Sequence, residues 1–472
     1  MKFISTRLKS PALTFEETVM QGLATDGGLY IPQFFPQFDD QYIAKMSFMN
    51  YEEIFFEVTR HFVADEIPVN DYKLIISKSY KNFSHQAIAP LKQLDSKHYL
   101  LELFHGPTLA FKDFALQFLG NLLDYFLHKR KQKIAIIGAT SGDTGSAAIY
   151  GCMQCKNAQI FILHPYKKVS EVQRRQMTTI LSDNVFNIAI KGNFDDGQKM
   201  VKAMFAQEVE DKEFLKGRKM VAINSINFAR LMAQISYYFY SASRIGVNNK
   251  NPVSFSVPTG NFGDIYAGYM AKKMGLNINK LIIATNSNDI LHRFIKNNDY
   301  SRHDMIETIS PSMNIQVSSN FERLLYDYHK QNECAEEIFD LMTIFEQTGS
   351  LKVRTVILES IQKTFLSYSV DDKTTKKELK DQFAATGEIL DPHTAIGTFA
   401  SKQYIKSDCY KGESVITLAT AHPAKFPDAI KEAKLPDPKL PHFLEDLMQR
   451  KEKYEILTND LQRVKDYISQ NL

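Results

Sequence analysis

Apolar residues along this chain follow two patterns, and the change from one to the other divides it. Over residues 1–90 they recur at helical spacing, notably at 14–23 and 51–63, with the proline-bearing run IPQFFPQF between them. This pattern predicts a small, mainly helical N-terminal domain. From about residue 98 the apolar positions gather into short continuous runs: HYLLEL, KIAIIG, AQIFIL, VFNIAI, KMVAIN, VSFSV and KLIIAT. Runs of that length predict strands buried on both faces, as in parallel sheets. Helical stretches separate them at 112–128, 145–155, 170–181, 194–209, 227–243 and 264–274. The repeated alternation predicts an α/β fold, doubly wound and mostly parallel, with helices on both faces.

Residues 320–390 lose the strand pattern and read as a mainly helical insertion in an α/β catalytic body spanning 91–435, itself made of two subdomains. The run SVITLA at 414–419 predicts a late strand that returns to the main sheet, because a lone strand cannot satisfy its own backbone. A helix is expected from Pro427, and 436–472 reads as a helical tail whose polar helix covers 442–470. In open α/β sheets ligands bind at the carboxyl edge, so the strand-to-helix turns are the places to look for chemistry.

Composition narrows the function classes. The 472 residues carry 57 Lys+Arg against 54 Asp+Glu, a formal charge of +3, with 44% hydrophobic and 24% charged positions. These are values of a folded globular chain. A near-neutral balance without a long basic run excludes a dedicated nucleic-acid binder. The opening residues lack the apolar core of a signal peptide, and no stretch reaches the length of a membrane span, so a soluble cytoplasmic protein is expected. Cys152 and Cys155 form a C-x-x-C that reads as two thiols inside one helix. No second such pair or spaced His pair is present to complete a zinc site, so no metal is expected.

Three turns carry candidate chemistry. Residues 138–145, GATSGDTG, lie between a strand and a helix. Their small residues allow close backbone approach, and N–H groups at a helix start favour an anion. Residues 258–264, PTGNFGD, have the same setting, with Gly260 and Gly263 able to turn several N–H groups towards one phosphate and Asp264 expected as the helix N-cap. Neither turn matches a dinucleotide fingerprint or a P-loop, and each reads equally as an ordinary glycine-bearing turn. The third turn, FHGPTLAFKDF, places Lys112 among apolar residues at a helix start. Burial and the positive helix end disfavour an ammonium there and expose an amine nucleophile, although a lysine snorkelling from an amphipathic helix has the same local pattern. An activated lysine together with a glycine-rich phosphate cradle is what a pyridoxal-phosphate enzyme requires.

The runs FHGPTLAFKDFALQF, GATSGDTGSAA, NSINFARLMAQISYYF, VPTGNFGD, DPHTAIG and LATAHPAKF, in this order, resemble threonine synthase, as does the opening STR…TFEETVMQGLATDGGLYIP. The resemblance extends from about residue 5 to 428 and is to the longer microbial and fungal branch of these fold-type II enzymes. It implies pyridoxal 5′-phosphate as cofactor, and conversion of O-phospho-L-homoserine and water to L-threonine and phosphate by β,γ-replacement, the last step of threonine biosynthesis. It further implies that Lys112 binds the cofactor aldehyde. Gly260, Asn261, Phe262, Gly263 and Asp264 match the loop for the cofactor phosphate, and Thr420 of LATAH matches the hydroxyl partner of the pyridine nitrogen. Asp143 falls where the shorter branch has an asparagine near the cofactor's 3′-oxygen; a carboxylate there requires a shared proton.

Thr140, Ser141 and Thr144 are candidates for the substrate's carboxylate or phosphate. Arg230 matches an arginine near the substrate phosphate, suited to paired oxygens, and reads otherwise as a helix-face arginine in an ion pair. His393 follows an Asp-Pro turn, so neither it nor His105 is assigned a catalytic role. A monomer or homodimer is expected. The alternatives are a phospho-lyase that releases 2-oxobutyrate from the same substrate, a serine or threonine dehydratase, and a non-catalytic α/β metabolite-binding protein.

Overall fold

The structure, a computed structural model, describes residues 1–207 and 214–472. The chain forms two compact units, and these cut across the boundaries expected near residues 90 and 435. One comprises Met1–Ile76, Phe83–His105 and Ser225–Pro438; the other comprises Ser77–Asn82, Gly106–Asn224 and Lys439–Leu472.

The larger unit is built on a six-stranded sheet in the order Phe365–Ser369, Ile278–Thr285, Val253–Pro258, Ser414–Ala419, His98–Glu102, Leu91–Gln93. All pairings are parallel except that of the outermost Leu91–Gln93 with His98–Glu102. The late strand Ser414–Ala419 does return to the sheet, and it does so at the centre, between Val253–Pro258 and His98–Glu102. Helices Phe15–Gln21, Asp40–Lys45 and Tyr51–Val63 of the N-terminal region belong to this unit. The helix Phe228–Arg244 is buried along almost its whole length and meets Tyr51–Val63 through Tyr51 against Tyr240 (ring centroids 5.4 Å) and Phe62 against Phe228 (5.6 Å).

The smaller unit holds an all-parallel sheet in the order Glu455–Thr458, Val185–Lys191, Ala158–Pro165, Ile134–Ala139, Lys219–Val221. Its core packs Ile137, Phe161, Leu163, Ile188 and Ile190 of the sheet against Met204, Val464 and Ile468. The expected α/β class holds, and the seven strand-like runs are all strands, distributed over two sheets.

Three expectations are corrected. The segment 320–390 is not without strands: Phe365–Ser369 pairs parallel with Ile278–Thr285 at the sheet edge. It begins directly where the helix Thr355–Thr364 ends, with no glycine or proline to mark the change. The tail is not one helix over 442–470. Glu455–Thr458 is an edge strand along Val185–Lys191, and only Leu461–Gln470 is a regular α-helix there; a short, largely exposed edge strand has no apolar pattern to announce it. The helix expected over 145–155 is Asp143–Cys152, so Cys155 lies beyond its end; both thiols are buried and unbridged. The helix expected at 194–209 runs Phe194–Gln207, and its last expected positions fall outside the described residues. Among the described residues no helix is long and apolar enough to cross a membrane.

Candidate active site

In the smaller unit the approach to Lys112 is organised by the residue after it. Asp113, fully buried, accepts from the Thr108 N–H and the Thr108 hydroxyl, each at 2.8 Å, which folds residues 106–112 back over the helix start. Gly106 has to be glycine there, because a Cβ would sit 2.4 Å from the Asp113 Cβ. Lys112 is thereby the first residue of the helix Lys112–Arg130, with its side chain 13% exposed. Its Nζ stands 3.4 Å from Oδ2 of Asp143, and the other carboxylate oxygen of Asp143 accepts from Gln173 Nε2 at 2.9 Å. The lysine and the aspartate that the sequence singles out are therefore neighbours, and the ammonium meets a carboxylate as well as a helix end.

The turn before Asp143 is held from within. Thr140 Oγ1 accepts from the Gly142 and Gly145 N–H groups at 3.0 and 2.9 Å. Its side chain is buried, whereas Thr144 is half-buried and Ser141 exposed. Thr140 thus braces the loop, leaving Ser141 and Thr144 as its more accessible hydroxyls.

In the larger unit the strand Val253–Pro258 runs into residues 259–262 and then the helix Gly263–Lys273. Phe262 takes a left-handed conformation (φ 61°), which costs a non-glycine residue roughly 1–2 kcal/mol. Burial of its ring against Phe321 (5.3 Å) and Phe365 (5.9 Å) offsets that. The carbonyls of the loop are turned outward to one segment. Ser318 Oγ donates to the Gly260 oxygen at 2.6 Å, and Asn320 donates to the Asn261 oxygen through its N–H (3.1 Å) and Nδ2 (2.9 Å). Among the described residues no side chain caps the helix start. Uncapped N–H groups with their carbonyls directed away make an anion cradle. A Cβ at Gly260 would lie 3.2 Å from the Ser312 oxygen, so a side chain there meets backbone.

Asp264 is not the N-cap, a correction to the sequence reading. It is the second residue of the helix, and its carboxylate turns inward, where Oδ1 accepts from Tyr237 (2.5 Å) and Tyr238 (3.0 Å). Burial pushes its pKa up to about 7, with the two hydroxyls pulling the other way. Thr420, directly after Ser414–Ala419, is 6% exposed, and its N–H donates to Thr394 Oγ1 at 3.2 Å. Arg230 is 4% exposed on Phe228–Arg244, and among the described residues its Nε and Nη1 have no hydrogen-bond partner; burial lowers its pKa to about 10. The ion-paired helix-face arginine is thus not what the structure shows. The next residue, Leu231, comes within 3.5 Å of where a Cβ of Gly263 would be, so this helix abuts the anion cradle.

Several supporting residues escaped the sequence reading: Asp113, Gln173, the Tyr237–Tyr238 pair and the segment 318–320. Asp113 was open to detection, since an acid beside a lysine at a helix start is a local signal; the others act across long sequence separations.

These residues fit pyridoxal phosphate: a part-buried amine to bind an aldehyde, a helix start bared to an anion, and a glycine that allows its approach. The fold and the sites define a pyridoxal-phosphate-dependent enzyme, and the family model of that description matches residues 85–351. Models for the threonine synthase N terminus and the threonine synthase C-terminal region match residues 2–80 and 394–468. The chain is 52% identical to threonine synthase of Pseudomonas aeruginosa, covering 100% of this chain and 98% of that protein. It is 42% identical to the Saccharomyces cerevisiae enzyme, covering 99% and 97%. The crystal structure of PLP-bound threonine synthase from Brucella melitensis superimposes with a TM-score of 0.95 at 44% identity, covering 100% and 99%. This chain belongs to the threonine synthase family, and its cofactor is pyridoxal phosphate.

Proposed function

We propose that this chain converts O-phospho-L-homoserine and water to L-threonine and inorganic phosphate, and that the residues above carry that reaction. Pyridoxal phosphate supplies the electron sink that lets protons leave Cα and Cβ of the amino acid. Lys112 would hold the cofactor aldehyde when substrate is absent and, as a free amine, would move the proton at Cα. The N–H groups at 260–264 hold the cofactor phosphate, with the carboxylate of Asp264 turned away from it. Thr420 would offer the pyridine nitrogen a neutral hydroxyl, which, unlike a carboxylate, does not favour its protonation. Asp143, held by Gln173 and 3.4 Å from the Lys112 amine, would share a proton with the cofactor's 3′-oxygen.

One observation carries the choice of substrate: a buried guanidinium with two nitrogens that have no partner among the described residues, in the helix against the phosphate cradle. A substrate with its own phosphate requires a second anion site, and leaving a buried cation unpaired is costly unless a ligand satisfies it. Arg230 fills that role; in the smaller unit Ser141 and Thr144 are the hydroxyls proposed to donate to the substrate, on the loop that Thr140 shapes. The enzyme is taken to work in the cytoplasm, as a monomer or homodimer, without nucleic acid.

Product analysis with O-phosphohomoserine tests the reading: threonine and phosphate are expected in equal amounts, and 2-oxobutyrate as the main product would sink it. Arg230→Leu is expected to keep the visible absorbance of lysine-bound cofactor while kcat/KM falls about 30- to 1,000-fold. Competitive inhibition by inorganic phosphate should weaken in parallel. Parental kcat/KM and inhibition would make Arg230 a structural arginine.

A further inference from the structure

Asp391 lies 1% exposed in the larger unit, just before the helix Pro392–Ile405, and its carboxylate receives four donors. Oδ1 accepts from the His393 N–H at 2.9 Å and from His393 Nδ1 at 2.8 Å; Oδ2 accepts from the Thr394 N–H at 3.3 Å and from the Thr394 hydroxyl in a short bond. A helix cap needs only the two backbone bonds, which an asparagine or serine also provides. The two side-chain donors use up the remaining lone pairs, and only a carboxylate accepts on all sides.

Each of those donors belongs to an arm: one ends on Thr420, which is assigned to the cofactor, the other on the loop that backs Gly260. Because the Thr394 hydroxyl gives its hydrogen to Asp391, its oxygen is free to accept the N–H of Thr420, at 3.2 Å. Because His393 gives its Nδ1 hydrogen to Asp391, its Nε2 is the bare nitrogen that accepts the N–H of Ser312, at 3.2 Å. The ring of His393, itself 3% exposed, is fixed edge-on by Phe426 at 4.8 Å. Asn286 anchors the Ser312 loop on either side, donating to Ser310 Oγ (3.0 Å) and Asn314 Oδ1 (2.8 Å). The carbonyl oxygen of Ser312 is the atom that stands 3.2 Å from the would-be Cβ of Gly260.

The geometry points to Asp391 as a positioning residue for the cofactor: one carboxylate sets the polarity of two hydrogen-bond arms, through Thr394 to Thr420 and through His393 to the loop that backs Gly260. This rests on the reading that Thr420 meets the pyridine nitrogen and that residues 260–264 hold the phosphate. An asparagine at 391 brings an NH₂ that has to face either His393 Nδ1 or the Thr394 oxygen. Facing the histidine, it forces the other tautomer and sets Nε2–H against the Ser312 N–H; facing the threonine, it turns that hydroxyl towards the Thr420 N–H.

The test titrates cofactor-depleted protein with pyridoxal phosphate, recording its dissociation constant, the visible band of the lysine-bound form against pH, and Tm. Asp391→Asn is expected to weaken cofactor binding about 10- to 100-fold and to move the pH dependence of the band. Two single-arm pairs keep the test sound if that variant folds poorly. Thr394→Val should move the band and its pH dependence more than the affinity, with Thr394→Ser restoring both. His393→Leu should weaken affinity more than it moves the band, with His393→Gln, which can still donate to Asp391 and accept from Ser312, restoring it. A parental affinity and band in Asp391→Asn, Thr394→Val and His393→Leu, with only Tm lowered, overturns the proposal and leaves Asp391 a plain helix cap. A parent protein that shows no lysine-bound band overturns this inference together with the reading it rests on.

Discussion

The two glycine-bearing turns, 138–145 and 258–264, are nearly interchangeable in sequence: each follows an apolar strand, opens a helix and ends near an aspartate. In the structure they are built on opposite principles. The first spends its own donors, since Thr140 Oγ1 accepts the Gly142 and Gly145 N–H groups, and its aspartate stays at the helix start beside Lys112 and Gln173. The second is held from outside through its carbonyls, by Ser318 and Asn320, so its helix start has no side-chain cap, and its aspartate is withdrawn to Tyr237 and Tyr238. A turn that satisfies its amides internally positions side chains; a turn that satisfies only its carbonyls receives an anion. Glycine content does not separate the two cases, whereas the direction in which the polar backbone is satisfied does.

The largest effect expected concerns the side chain that the first turn faces. Lys112→Ala should lower turnover at least about 1,000-fold and remove the visible band of bound cofactor, with little change in Tm. Normal turnover in that variant would break the functional contrast outright. Next comes Gly260→Val, whose Cβ would press on the Ser312 carbonyl; cofactor affinity measured by titration should fall about 10- to 100-fold. An unchanged affinity would make 258–264 an ordinary turn.

The first turn should answer the opposite way. Thr140→Val deprives two buried N–H groups of their acceptor and should cost about 1–3 kcal/mol in denaturant unfolding, while Thr140→Ser recovers most of it. A variant that lost cofactor affinity but no stability would show that the amides of this loop, and not those of 258–264, hold the cofactor phosphate. The smallest effect concerns Asp264. Its folded pKa of about 7 lies above the ordinary 3.8, so between those values the folded state holds more protons than the unfolded one, and stability falls as pH rises through that window. The slope is at most about 1.4 kcal/mol per pH unit. Asp264→Asn should flatten it, as read from unfolding curves at pH 5 and pH 8; an unaltered slope would place the titrating group elsewhere.

The sequence by itself determined the strands and helices that bury a continuous or periodic apolar face, because hydrophobic period is a local property: the seven apolar runs, SVITLA and the 51–63 helix all lie where they are expected. It also determined Lys112 at a helix start and the two glycine turns, since those signals lie within a few residues of one another. Only the tertiary structure decided what depends on a partner far along the chain. It divided the strands between two sheets, and it placed as edge strands Phe365–Ser369, which follows a helix without a break in the sequence, and Glu455–Thr458, which is too exposed to show an apolar pattern. It turned Asp264 away from its helix start towards tyrosines on Phe228–Arg244, left Nε and Nη1 of the buried Arg230 without a partner among the described residues, and ran the arms of Asp391 to Ser312 and Thr420. Apolar burial can be read from spacing because it is non-directional, whereas a buried polar group is defined by the single partner that satisfies it, and that partner is chosen only when the chain folds.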